Sequence, residues 1–217
     1  MAIWTVIAVI LAALTGYLLG SLNSSLIVSR FYGMDIRQHG SGNAGMTNTL
    51  RVLGKKAALF VLTGDLLKGI LAYLAGYFLF GTIMPAIAGN FTSGAALGGM
   101  IGGTASIIGH ILPVFFGFKG GKGVLTTLAV MFMIDWQAAL ILLGLFVLIV
   151  AVTRYVSLGS VVGAILLPVT EIVLGRGTAN IIFAILIAIL VVYMHQSNIK
   201  RLINGNESKL GAKKQGV

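Results

Sequence analysis

Apolar residues run in long blocks at about 3–28, 57–80, 95–114, 124–134, 137–153, 161–174 and 179–196. Crossing a bilayer as a helix takes roughly 20 residues. The fourth block falls short of that, which predicts a tilted, half-buried or re-entrant helix. An alternative joins 124–153 into one long helix and leaves six in all. Asp135-Trp136-Gln137 reads as an interfacial break and favours seven. No basic residue precedes the first block, so it reads as an uncleaved spanning helix rather than a signal peptide. The expected fold is an all-α integral membrane protein, a seven-helix bundle with some helices short or re-entrant. One transmembrane domain is expected over residues 1–202, followed by a disordered basic tail over 203–217.

Composition agrees. The chain is 58% hydrophobic and 9% charged, where a soluble domain carries about 25% charged residues. Mean hydropathy is +1.02. The absence of cysteine excludes disulfides, thiolate catalysis and Cys-ligated metal. Glycines 94, 98, 99, 102 and 103 sit at small-x3-small spacings, which suit tight helix packing.

The net charge of +10 fits anionic lipid, nucleic acid or a phosphorylated substrate, and its placement chooses among them. With the N-terminus outside, the inner segments are 29–56, 115–123, 154–160 and the tail beyond 196. They hold every Lys and Arg except Arg176 and Lys68. That satisfies the positive-inside rule and puts the C-terminus in the cytoplasm. It also puts four polar, glycine-rich stretches on one face, as a single site would require: "GSGNAGMTN" (40–48), "FKGGKG" (118–123), "SLGS" (157–160) and "HQSNIKR" (195–201). Nucleic acid is not an expected partner; membrane lipid is.

The first stretch matches G-x-G-x-x-G, but a membrane helix precedes it and lysines rather than an acid follow. A dinucleotide turn is therefore a poor reading. Gly40, Gly42 and Gly45 permit positive φ, so their amides can form an anion nest. Ser41, Asn43, Thr47 and Asn48 add donors; Thr47, Asn48 or a neighbour can cap a following helix. Arg37 and Arg51 flank the stretch and suit bidentate phosphate contact. In the second stretch Lys119 and Lys122 surround Gly120, Gly121 and Gly123. The spacing is not that of a Walker A motif, but an anion cradle at a helix start fits. His110 is a packing histidine or a site residue. Ser157, Gly159 and Ser160 make an ordinary interhelical turn or part of the site. His195 and Asn198, at i and i+3, share a helix face. Within the second block Asp65 and Lys68, also i and i+3, are a buried structural pair or line the site. Asn23 and Glu171 are unusual in apolar blocks and have no evident partner.

"GMDIRQHGSGNAGMTNTLR", "GHILPVFFGFKGGKG", "SLGS" and "HQSNIKRLINGNESK" occur in this order over essentially the whole chain. Together they resemble the bacterial membrane glycerol-3-phosphate acyltransferases that use acyl phosphate as donor. The resemblance implies a cell-membrane enzyme with a cytoplasmic-facing site, no cofactor and no metal. It implies the reaction of acyl phosphate with glycerol 3-phosphate to give 1-acyl-glycerol 3-phosphate and phosphate, as the first step of phospholipid synthesis. An upstream supplier of acyl phosphate is the implied functional partner. By the same resemblance Ser41, Arg51, Lys122, His195 and Asn198 hold or orient substrates, with Lys119 and Gly120 to Gly123 around the acyl phosphate. The expected general base is His195, the substrate's own phosphate or no group at all. A competing class is a transporter for organic phosphates, with Asp65, Lys68 and Glu171 lining its path.

Overall fold

A computed structural model describes residues 2–83 and 91–211. The ordered elements are all helical. They are α1 (Ala2–Ser21), α2 (Ser24–Phe31), α3 (Met46–Leu53), α4 (Lys55–Ile83), α5 (Phe91–Ile111), α6 (Val124–Ile134), α7 (Trp136–Thr153), α8 (Val156–Val173), α9 (Thr178–Met194) and α10 (Gln196–Ile203). Short 3₁₀ turns occupy Ile36–Gln38 and Val114–Phe116. The seven apolar blocks are all helical, the first broken at Leu22–Asn23 where the Asn23 side chain caps α2.

Among the described residues five spans are long and apolar enough to cross a bilayer, and α9 with α10, bent by 60°, makes a sixth if counted as one. The α6 helix, 11 residues long, is too short to cross alone, as its block predicted. The break before α7 falls at Asp135, whose carboxylate accepts from the Gln137 and Ala138 amides and caps the new helix. Part of the outer loop expected at 81–94 lies outside the described residues, as do Lys213 and Lys214 of the tail.

The chain forms two compact units that meet in sequence between Ile134 and Asp135. In the first, α1, α4 and α5 pack on one another, α6 lies against α4 and α5, and α2 and α3 lie against α4. Small residues allow this. A Cβ on Gly98 would strike Phe80 and the Gly76 carbonyl, and one on Gly16 would strike the Gly102 backbone. In the second unit α7, α8 and α9 pack in sequence, with α10 against α8 and α9. Large apolar side chains such as Trp4, Phe60, Leu148, Val152 and Ile189 remain exposed on both units, as a lipid-facing surface requires.

Two expectations need correction. Ser157, Gly159 and Ser160 are not an interhelical turn; they lie in the first turns of α8, which starts at Val156. The Ser160 hydroxyl folds back onto the Val156 carbonyl, and Gly159 packs against Phe146, so these small residues serve a helix. The segment just past 203, expected to be disordered, is tied down. The Leu210 amide donates to the Arg154 carbonyl at 2.7 Å, and the Arg154 guanidinium donates to the Leu210 carbonyl.

Candidate functional site

The first glycine loop is shaped from both ends. Asp35 caps the 3₁₀ turn through the Arg37 amide. Its carboxylate also takes the Arg37 guanidinium on two nitrogens, Nε at 2.9 Å and Nη2 at 2.7 Å. That pairing holds the Asp35 carboxyl below the usual carboxylate range and raises Arg37. Beyond it Gly40 and Gly42 have φ of +61° and +72°, a conformation that costs a side chain energy. Gly45 does not share it and instead stands as the N-cap of α3 with φ −160°.

Asn48, buried inside the first turn of α3, organises this loop. Its Oδ1 accepts from the Ser41 amide at 2.9 Å, and its Nδ2 donates to the carbonyls of Ile36 and His39. Neither Asn48 nor Thr47 caps α3; both lie within it. The neighbouring Thr49 hydroxyl meets the Ser25 hydroxyl at 2.7 Å. Ser41 is thus exposed on a loop whose backbone is fixed beneath it. Arg51 stands in the last turn of α3, half-buried.

The second loop runs from Pro113 to Gly123 and leads directly into α6. Its path returns onto the end of α5: the Gly120 amide donates to the Ile111 carbonyl and the Gly121 amide to the His110 carbonyl. A Cβ on Gly121 would run into His110 Nε2 and the Ala44 carbonyl, so the two loops touch here. Arg37 fastens them from the other side, with Nη1 donating to the carbonyls of Phe116 at 2.9 Å and Lys119 at 3.1 Å. Lys119 is exposed and Lys122 half-buried.

Several amides expected to form an anion nest are otherwise used. Those of Ser41, Gly42, Gly45, Gly120 and Gly121 each donate to an acceptor within the chain. These amide donors are therefore satisfied internally. The glycines shape the loops instead, and each loop delivers the chain into a helix N-terminus, α3 after Gly45 and α6 after Gly123. Such termini carry unpaired amides and a partial positive charge.

Asp65, Lys68 and His110 form one buried cluster beneath the second loop. Lys68 Nζ lies 2.8 Å from Asp65 Oδ1, 2.8 Å from His110 Nδ1 and 3.3 Å from the Leu22 carbonyl. An ammonium has three donors and no acceptor, so His110 Nδ1 accepts and the ring proton sits on Nε2. These three side chains are at most 5% exposed and lie against one another.

In the second unit, His195 caps the end of α9. Its Nδ1 is 2.7 Å from the Val191 carbonyl; a carbonyl only accepts, so Nδ1 bears the proton and the lone pair of the neutral ring is on Nε2. Glu207 was not singled out from the sequence, yet three side chains converge on it. Ser157 and Asn198 donate to Oε1 and Arg201 to Oε2, each at 2.7 Å. Burial opposes its ionisation, but these donors outweigh it and hold its carboxyl below the usual range. A lone acid in a basic tail, nine residues beyond Asn198, was the available signal. Asp35, two residues before Arg37, was likewise legible as a partner.

Residues 10–205 match the family model described as glycerol-3-phosphate acyltransferase. The chain is 43% identical over 207 residues to the glycerol-3-phosphate acyltransferase of Clostridioides difficile (strain 630), covering 95% of this chain and 97% of that one. It is 41% identical over 205 residues to that of Thermoanaerobacter sp. (strain X514), covering 94% and 96%. Among solved structures it is similar to PlsY, an integral membrane glycerol 3-phosphate acyltransferase, in its glycerol 3-phosphate form. That match has a TM-score of 0.81 and 36% identity, covering 94% of this chain and 96% of that one. The lysophosphatidic acid form of PlsY gives a TM-score of 0.79 at 35% identity, covering 94% and 95%.

Proposed function

The chain belongs to the glycerol-3-phosphate acyltransferase family, and on that premise we propose that it moves an acyl group from acyl phosphate to the 1-hydroxyl of glycerol 3-phosphate. The observation that carries the reading is the pair of glycine loops. They touch at Gly121 and Ala44, are bridged by Arg37, and each leads into a helix N-terminus, with Lys119 and Lys122 just ahead of α6 and Arg51 in the last turn of α3. Helix N-termini and basic side chains favour phosphate, and both proposed substrates carry it. A bilayer-embedded body suits the acyl tail. The protein is read as a multi-pass protein of the cell membrane, with its polar loops on the cytoplasmic side and phospholipid synthesis beginning at its product.

The chemistry asks little of the protein beyond placement. The 1-hydroxyl oxygen attacks the acyl carbonyl, the new ester bond forms, and the anhydride C–O bond breaks. Phosphate departs with the electron pair, and the hydroxyl proton passes to a base. Phosphate is a good leaving group, so positioning and electrostatic stabilisation by Lys122 and Arg51 supply most of the rate. His195 suits the base because its Nε2 carries the lone pair, and the departing phosphate is the other acceptor. Ser41, Asn198, Lys119 and the glycines are assigned to substrate contact or loop shape. Arg37, Asn48, His110, Asp65 and Lys68 are assigned to support, since Arg37 and Asn48 bind within the loops and the other three bind one another.

Purified protein in vesicles, given acyl phosphate and labelled glycerol 3-phosphate, tests this against transport. Lysophosphatidate formation is expected; label entering the lumen without product would favour a transporter.

A further inference from the structure

Leu22–Asn23 breaks the first apolar block, and Asn23 there is fully buried. Its Oδ1 has a fixed task, accepting the Leu26 amide at 3.1 Å as the N-cap of α2. That settles the orientation of the amide and turns Nδ2 inward. Nδ2 lies 3.4 Å from the Ala44 carbonyl and 3.4 Å from the His110 carbonyl. A carboxamide nitrogen has two hydrogens, and here it faces two acceptors.

The acceptors belong to different parts of the site. Ala44 is in the first glycine loop. The His110 carbonyl also accepts the Gly121 amide of the second. The ground on which they rest is held by Lys68, whose ammonium binds the Leu22 carbonyl next to Asn23 and the His110 ring together.

We infer that Asn23 is a positioning residue, one buried amide that ties the Gly40–Gly45 loop to the Gly120–Gly123 loop through the carbonyls of Ala44 and His110. It acts on substrates only through those loops. Its effect on substrate affinity rests on the acyltransferase reading; its effect on the loops does not.

Serine caps a helix about as well as asparagine but is too short to reach either carbonyl. Asn23→Ser therefore removes the bridge and keeps the cap, while Asn23→Ala removes both. Asn23→Asp is the second bridge variant, equal in size and capping, with an oxygen where the donor was. Amide hydrogen exchange is measured on segments 40–46 and 117–123, together with KM for both substrates. In Asn23→Ser both segments exchange faster together, and KM for glycerol 3-phosphate rises roughly tenfold, as expected for losing two modest hydrogen bonds. Asn23→Ala shows the same KM with a lower unfolding temperature. Should Asn23→Ser not accumulate, Asn23→Asp gives the same reading. Unchanged exchange in either loop overturns the inference, as does a KM that moves only in Asn23→Ala. If the wild-type protein forms no lysophosphatidate, the acyltransferase reading fails, and the exchange data still decide the coupling.

Discussion

Replacing Lys68 by methionine should be far more harmful than replacing Lys68 and Asp65 together. The side chains of this pair are 5% and 1% exposed and 2.8 Å apart. Among the described residues Asp65 Oδ2 has no hydrogen-bond partner, and beyond the cluster Oδ1 has only the Ser24 amide at 3.4 Å. Lys68→Met leaves that carboxylate buried without its cation, a loss of about 3–5 kcal/mol. For a chain of this size each kcal/mol moves the unfolding temperature by about 2–4 °C, so the expected drop is roughly 6–20 °C. The double variant Asp65→Asn with Lys68→Met removes both charges at nearly constant volume and should stay within about 2 kcal/mol of the parent. Differential scanning calorimetry in one detergent at one scan rate makes the comparison, because membrane-protein unfolding is commonly rate-limited. If the single and double variants lose the same amount, the cluster is not held by mutual charge compensation and the reasoning is wrong.

Other outcomes follow from the same contacts. Arg37→Lys leaves one nitrogen to serve Asp35 and two carbonyls, so exchange in 114–119 should accelerate and KM should rise by roughly tenfold; no change would mean the fork is dispensable. Glu207 has a lowered carboxyl value, so its contribution is complete above the ordinary glutamate value of about 4.3 and fades as pH falls through the lower folded value. Exchange in 204–211 should therefore rise on acidification, whereas Glu207→Gln should already exchange fast at neutral pH and show no such rise. Asp135→Ala removes the α7 cap and the partner of Arg176; a loss of at least about 1 kcal/mol is expected in unfolding experiments, with Asp135→Asn losing less because the cap survives.

Hydropathy alone carried the helical blocks, because a bilayer forces long apolar runs into helices whatever their neighbours. It also carried the break at Asp135, where one acid caps one helix. The start of α8 was misread because Ser and Gly signal a turn by propensity, while Phe146 and Glu207, distant in sequence, give those residues a reason to be helical. The touching glycine loops were legible as phosphate-like motifs, but not the donors that hold them. The partners of Asn23 are backbone carbonyls 21 and 87 residues away, and every residue type has a carbonyl. Lys68 and Asp65 could be paired from their spacing; the third member, His110, could not. The expected amide nest failed for a related reason. Composition shows which amides are able to converge, not which ones the fold has already satisfied.

The central claim is the donor. Purified protein incubated with labelled glycerol 3-phosphate and either acyl phosphate or acyl-CoA, at equal acyl chain length, tests it in one experiment. Lysophosphatidate and an equal amount of inorganic phosphate should appear with acyl phosphate alone, and Ser41→Ala should depress that yield. Product from acyl-CoA with none from acyl phosphate would contradict the account.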